Sequence, residues 1–202
     1  MTKPLLGNGY HPLAPGQLAN VVTLLEMKAK PVPRALPPHE GLSLRPLDKE
    51  DSEGYLSLFR RVGGGWMWFS RLAMAKGELE AILRHPDVEL FALAQTGRDI
   101  GILELDFRRM PDCELAFFGV TPEAIGKGAG RYLMSEAISR AWARPIERFW
   151  VHTCSFDHPA AIDFYRRSGF TPYQFMVEVL DDPRLKGLLP RDAAPHVALI
   201  NP

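Results

Sequence analysis

At 202 residues, 46% of them hydrophobic, the chain has enough apolar material for a single domain with a substantial core. Its 24 Lys and Arg balance 24 Asp and Glu without forming a basic stripe, which argues against a nucleic-acid partner. No apolar stretch approaches the roughly 18 residues of a membrane span, no N-terminal run suits a signal peptide, and the two cysteines form no Cys-x-x-Cys, so a reduced cytoplasmic setting is expected and a membrane partner is not.

Residues 1–40 hold seven prolines and read as an N-terminal arm, with Pro31–Pro38 resisting regular structure. Within the arm Leu18–Met27 is apolar enough for a strand or a short helix, and the pattern does not decide between them. Leu42–Leu47 alternates like a strand. Asp48 can cap a helix whose face is Tyr55, Leu56, Phe59 and Val62, ended by Gly63-Gly64-Gly65. The aromatic cluster Trp66 to Arg71 follows. Leu79, Ile82 and Leu83 mark a second helix that stops before Pro86.

Val88–Gln95, Ile100–Arg108 and Cys113–Val120 predict three strands of an antiparallel meander, joined by tight turns. Tyr132–Trp142 predicts a helix, Arg148–Cys154 a strand, His158–Gly169 a short helix and Phe170–Leu180 a last strand. The fold class is therefore α/β with a mixed sheet. Residues 181–202 read as a tail lying over the body without regular structure.

The stretch Gly119-Val120-Thr121-Pro122-Glu123-Ala124-Ile125-Gly126-Lys127-Gly128-Ala129-Gly130-Arg131 joins a strand to a helix. Alternate glycines let a backbone approach a ligand closely, and the following helix start offers unpaired N–H groups suited to a phosphate. No Gly-Lys-Ser/Thr closes the run, so it is not a P-loop, and the spacing is not that of a dinucleotide fingerprint.

Val120-x-Pro122 followed by Gly126-x-Gly128-x-Gly130 resembles the acetyl-CoA signature of the GCN5-related N-acetyltransferases (GNAT superfamily), with Ile125 where Arg or Gln is usual. His158-x-x-Ala161-x-x-x-Tyr165-x-x-x-Gly169-Phe170 resembles the same family's fourth helix, with His158 in place of Asn. The resemblance covers about Gly41 to Leu180 and implies one domain: an arm (1–40), an acetyltransferase core (41–180) and a tail (181–202). It implies a twisted, largely antiparallel sheet flanked by helices and splayed between the fourth and fifth core strands, where the pantetheine arm of acetyl-CoA enters.

The resemblance further implies coenzyme contacts from Phe118, Gly119, Val120, Ile125, Gly126, Lys127, Gly128, Ala129, Gly130, Arg131, His158 and Ala161. Glu114, Glu104 and Asp106, acids inside predicted strands, are the candidate bases for deprotonating an amine; the resemblance implies Glu114, six residues before Val120, as the first choice, with Glu104 second and His152, near its strand end, third. Tyr165 matches the tyrosine whose hydroxyl faces the coenzyme sulfur and serves as acid. Trp66, Trp68 and Asp106 are expected near the acceptor, although the aromatic cluster would equally serve as a core anchor. The expected reaction is direct acetyl transfer from acetyl-CoA, as co-substrate, to a small-molecule or peptide amine. A non-catalytic CoA-binding module is the alternative, and another acyl donor or a hydroxyl acceptor is a further one. The six histidines are dispersed and suggest no metal site. Such domains often pair, so a homodimer is compatible with the resemblance.

Overall fold

The computed structural model describes residues 6–33, 35–36 and 40–201, so parts of the arm, including Arg34 and 37–39 of the proline-rich segment, lie outside the described residues. Among the described residues seven strands form one sheet: β1 (Gln17–Met27), β2 (Leu42–Pro46), β3 (Val88–Gln95), β4 (Arg98–Asp106), β5 (Asp112–Val120), β6 (Arg148–Cys154) and β7 (Thr171–Asp181). Four α-helices of the described residues accompany them: α1 (Ser52–Gly63), α2 (Lys76–Leu83), α3 (Ala129–Ala141) and α4 (Ala161–Arg167). The spatial order is β2-β3-β4-β5-β6-β1-β7. Every neighbouring pair is antiparallel except β5 and β6, which run parallel with α3 as the crossover.

The undecided segment Leu18–Met27 is a strand, and it lies inside the sheet. It pairs Val22 with Cys154 of β6 on one side and with Met176 of β7 on the other. Its alternate residues Leu25 and Met27 are buried in the main core, a period of two that only neighbours on both sides can reward. Part of the proline-rich arm therefore belongs to the core, which extends beyond residues 41–180.

Local chemistry accounts for the helices. Asp51, not Asp48, caps α1: its carboxylate accepts from the Gly54 N–H at 2.8 Å, and Tyr55, Leu58, Phe59 and Val62 form the buried stripe. The last residue of α1 must be glycine, because a Cβ at Gly63 would lie 2.2 Å from the Trp68 indole. α4 is shorter than the spacing predicts, since His158 to Ala160 form a turn in front of it.

One sheet face packs on α3 and α4 through Phe91, Leu103, Leu105, Leu115, Leu133, Ala137, Phe149 and Tyr165. The opposite face packs Leu90, Ala92 and Ile102 against Tyr55, Phe59, Leu79 and Leu83 of α1 and α2. The tail is irregular yet anchored. Asp182 and Arg184 form a fully buried ion pair, and the guanidinium also donates to the carbonyls of Ala193, Val197 and Ala198. Leu189 and Ala194 of the tail pack on Met67 and Phe156.

Candidate active site

Strands β5 and β6 pair only at Asp112–Arg148, Cys113–Phe149 and Glu114–Trp150. Beyond Glu114 they part. The cause is visible in β5, where Ala116 is an extra residue: Leu105 pairs with Leu115 while Glu104 pairs with Phe117. A bulge of this kind bends its strand and ends pairing on one side. The half-buried run Ala116–Val120 thus forms one wall of a wedge whose other wall is the end of β6.

At the wide end of the wedge, β5 passes through a 3₁₀ turn at Pro122–Ala124 into the glycine loop. Gly126 and Gly128 have φ of +78° and +87°, the left-handed region that glycine adopts without strain. Gly128 is the N-cap of α3, and a Cβ at Gly126 would meet nothing within 4 Å. The loop is open, and the first N–H groups of the 13-residue α3 lack intrahelical acceptors. A helix start of this form favours an anion. Ile125 and Lys127 are exposed, Ala129 is buried, and Arg131 donates to the Ala35 carbonyl at 2.7 Å, so the arm crosses the first turn of α3.

Tyr165 of α4 stands on the same side of the wedge, buried against Phe118 of β5 and the rings of Phe164 and Phe170. Burial, with the Asp157 carboxylate adding to it, pushes its hydroxyl well above the usual phenol range, so it remains protonated at neutral pH. His158 accepts from the Ala160 N–H and lies 5.1 Å, ring to ring, from Trp66, which also meets His196 of the tail at 5.7 Å. Ala161 begins α4.

On the opposite face, Glu114 stands at the vertex of the wedge. Its carboxylate lies 3.5 Å from Nδ1 of His152, across the β5–β6 boundary. Glu114 raises the His152 pKa against the opposing effect of burial, and Asp157 and Glu178 reinforce the shift. Glu104 is placed differently. It is fully buried; Tyr55 donates to its Oε2 at 2.6 Å and Arg71 forms an ion pair with its Oε1. Both oxygens are occupied beneath the Arg71 guanidinium, which lies 4.9 Å above the Phe117 ring. Glu104 is therefore no base for an incoming amine. It anchors the Trp66–Leu72 segment to the sheet.

Asp106 is similarly engaged. Burial alone would raise its carboxyl, but hydrogen bonds from the Arg108 side chain and backbone outweigh that and hold it below the usual range. Trp68 packs on Phe59 and Phe117 and against Gly119, where a Cβ would come within 3.3 Å of the indole. Its Nε1 donates to Asp157 Oδ1 at 3.3 Å, so the side chain links the β5 wall to the turn after β6. Asp157 is the residue that sequence reasoning misses. Its Oδ2 accepts from Thr153 Oγ1 at 2.7 Å and from the Cys154 N–H at 2.9 Å. The one local signal is an aspartate three residues beyond a strand end, where side-chain-capped turns form.

A wedge between parallel strands, a glycine loop capping a helix and a buried tyrosine facing the wedge form one arrangement. Residues 54–170 match the family model described as Acetyltransferase (GNAT) family. The chain belongs to the GNAT family. Its fold is similar to that of a GCN5-related N-acetyltransferase from Sphaerobacter thermophilus, with a TM-score of 0.59 at 14% identity over 83% of this chain and 52% of that one. A GCN5-related N-acetyltransferase from Kribbella flavida gives 0.55 at 18% identity, over 85% and 63%. A putative acetyltransferase of the GNAT family from Novosphingobium aromaticivorans gives 0.53 at 22%, over 84% and 69%. The chain thus spans about half the length of the Sphaerobacter protein. No curated protein sequence matches it significantly.

The matching family model is one of acetyltransferases. Among the described residues no group of three or more His, Cys, Asp or Glu could hold a metal ion, and no helix is long and apolar enough to cross a membrane.

Proposed function

We propose that this GNAT domain transfers an acetyl group from acetyl-CoA to an amine by direct attack, with the acceptor entering from the face that carries Glu114. The observation supporting this reading is the parting of β5 and β6 immediately beyond Glu114, which places the carboxylate, the open glycine loop and Tyr165 around one wedge. The residues suit the coenzyme. Gly126, Gly128 and the start of α3 supply an uncrowded set of N–H groups for a diphosphate, and the unpaired half of β5 offers backbone groups to an amide-bearing arm. Bound acetyl-CoA supplies the activated acyl group as a thioester.

Glu114, supported by His152, takes a proton from the acceptor ammonium, directly or through one water. The freed amine attacks the thioester carbonyl, the nitrogen gives up its second proton to solvent as the carbon–sulfur bond breaks, and Tyr165 donates its proton toward the departing sulfur and regains one from solvent. Binding of the coenzyme without turnover is the second reading; the Trp68–Asp157 hydrogen bond, which links the two walls on the acceptor face, favours it.

Thermal unfolding with and without acetyl-CoA tests the first step. At a hundredfold excess over the dissociation constant, one site adds about 2.7 kcal/mol to the unfolding free energy. Gly128→Val should abolish that shift, because valine is strained at φ +87° and its side chain crowds the loop. Insensitivity of the wild-type melt to millimolar acetyl-CoA would overturn the reading. Product formation over a panel of amines then separates transfer from binding alone.

A further inference from the structure

The sheet has two edges, and they are built differently. β2 is five residues long and carries Arg45 and Pro46, features that discourage further strand pairing. β7 is 11 residues long and has no Lys or Arg between Thr171 and Asp181. Phe175 is 70% exposed, and Met176, Val177 and Val179 are each 49% exposed; Tyr173 is also exposed, as is Val21, the partner of Val177 on β1. Phe175, Val177 and Val179 pair with Thr23, Val21 and Ala19, so they form one apolar row on the α3/α4 face, beyond the reach of the seven-residue α4. A long apolar edge left in water invites another strand.

We propose that the free edge of β7 pairs antiparallel with β7 of a second copy of this chain about a two-fold axis at Val177. The strand is self-complementary in that register. Phe175 faces Val179 twice, Val177 faces its own counterpart, Met176 faces Glu178, and Tyr173 faces Asp181. Aromatic and β-branched residues meet across the strands, and no like charges are opposed. The two carboxylates are already engaged within their own chain, Glu178 by Asn20 at 2.8 Å and Asp181 by Lys186 at 2.7 Å. A charged or nucleic-acid partner would find no complement along this strand.

Tyr173 to Asp181 gives a seam about 30 Å long, along which the unpaired backbone of each strand gains hydrogen-bond partners. The exposed row Phe175, Val177 and Val179 packs beside its counterparts across the seam, so part of its apolar surface leaves water. Pairing joins two seven-stranded sheets into one and leaves both wedges open to solvent. The proposal does not depend on the catalytic reading.

Light scattering coupled to size-exclusion chromatography tests it at micromolar concentration. The wild-type chain should run at twice its monomer mass, and Val177→Lys, which sets two ammonium groups face to face at the axis, should halve that mass with an unchanged circular dichroism spectrum. A monomeric wild type, an open-ended series of larger assemblies, or a dimer indifferent to Val177→Lys would each overturn the proposal. Should Val177→Lys fail to fold, Val177→Cys decides. Directly opposed residues have Cα atoms about 4.5–5.5 Å apart, within disulfide range. Mild oxidation should then give a covalent dimer for Val177→Cys and none for Lys76→Cys on the exposed end of α2. Absence of the covalent dimer overturns the proposal.

Discussion

The two sides of the wedge are made of different materials. Under the proposed function, the coenzyme side consists largely of backbone: a glycine loop, a helix start, and the unpaired half of β5, with Tyr165 as its chief side chain. The acceptor side consists of side chains from distant segments: Trp68 and Arg71 after α1, Glu104 on β4, Glu114 on β5, His152 and Asp157 at and beyond β6, and a tail that packs on Met67 and Phe156. A backbone device is rigid and suits one invariant ligand. A side-chain wall can be rebuilt by single substitutions, which is how one fold accommodates different acceptors.

The largest effect should come from the acceptor side and should be structural. Arg71→Ala leaves the buried Glu104 carboxylate uncompensated, and breaking such a pair costs about 3–5 kcal/mol. Urea denaturation measures it. A loss under about 1 kcal/mol would show that water reaches Glu104, which would restore it as a candidate base.

Tyr165→Phe probes the coenzyme side and keeps the ring packing against Phe118 and Phe170. A general acid contributes on the order of 10²–10⁴ in rate, and a thiolate leaves readily, so kcat should fall about 100-fold with little change in Tm. Turnover near wild type would reduce Tyr165 to a packing residue.

These two substitutions also mark what was legible in the sequence. Gly126, Gly128, Gly130 and Tyr165 act through local spacing, which the chain displays directly. The Arg71–Glu104 pair spans 33 positions and Trp68–Asp157 spans 89, and no periodicity connects such residues. Glu104 read as a catalytic candidate because a lone acid in a strand looks the same whether its partner is solvent, substrate or an arginine. The undecided Leu18–Met27 had the same difficulty, since its neighbours in the sheet lie more than 120 residues away.

Asp157→Asn should cost about 1–2 kcal/mol, because an amide cannot accept all the hydrogen bonds from Trp68, Thr153 and Cys154. The acetyl-CoA-dependent melting shift should survive. Loss of that shift would mean that the two sides are not independent, which would end the comparison drawn above.

The smallest effect concerns Glu114 and His152. The His152 pKa is raised in the folded protein, so the pair stabilises fully below the ordinary histidine value of about 6.5 and loses that contribution as pH rises through the raised value. Glu114→Gln should therefore destabilise more at pH 6 than at pH 9, by a fraction of a kcal/mol because the site is half exposed. A penalty that grows with pH contradicts the pairing. In activity assays the same variant should lose most at low pH, where the free amine is scarce.

The position of β1 carries a consequence for biosynthesis. Val22 waits between Cys154 and Met176, 154 residues ahead of the latter in the chain. A ribosome adding about 5–20 residues per second leaves that strand without neighbours for roughly 10–30 s. During that interval the apolar strand has both edges open. The sheet closes only after β7 emerges, so a polypeptide truncated anywhere before Thr171 lacks the outer neighbour of its own first strand.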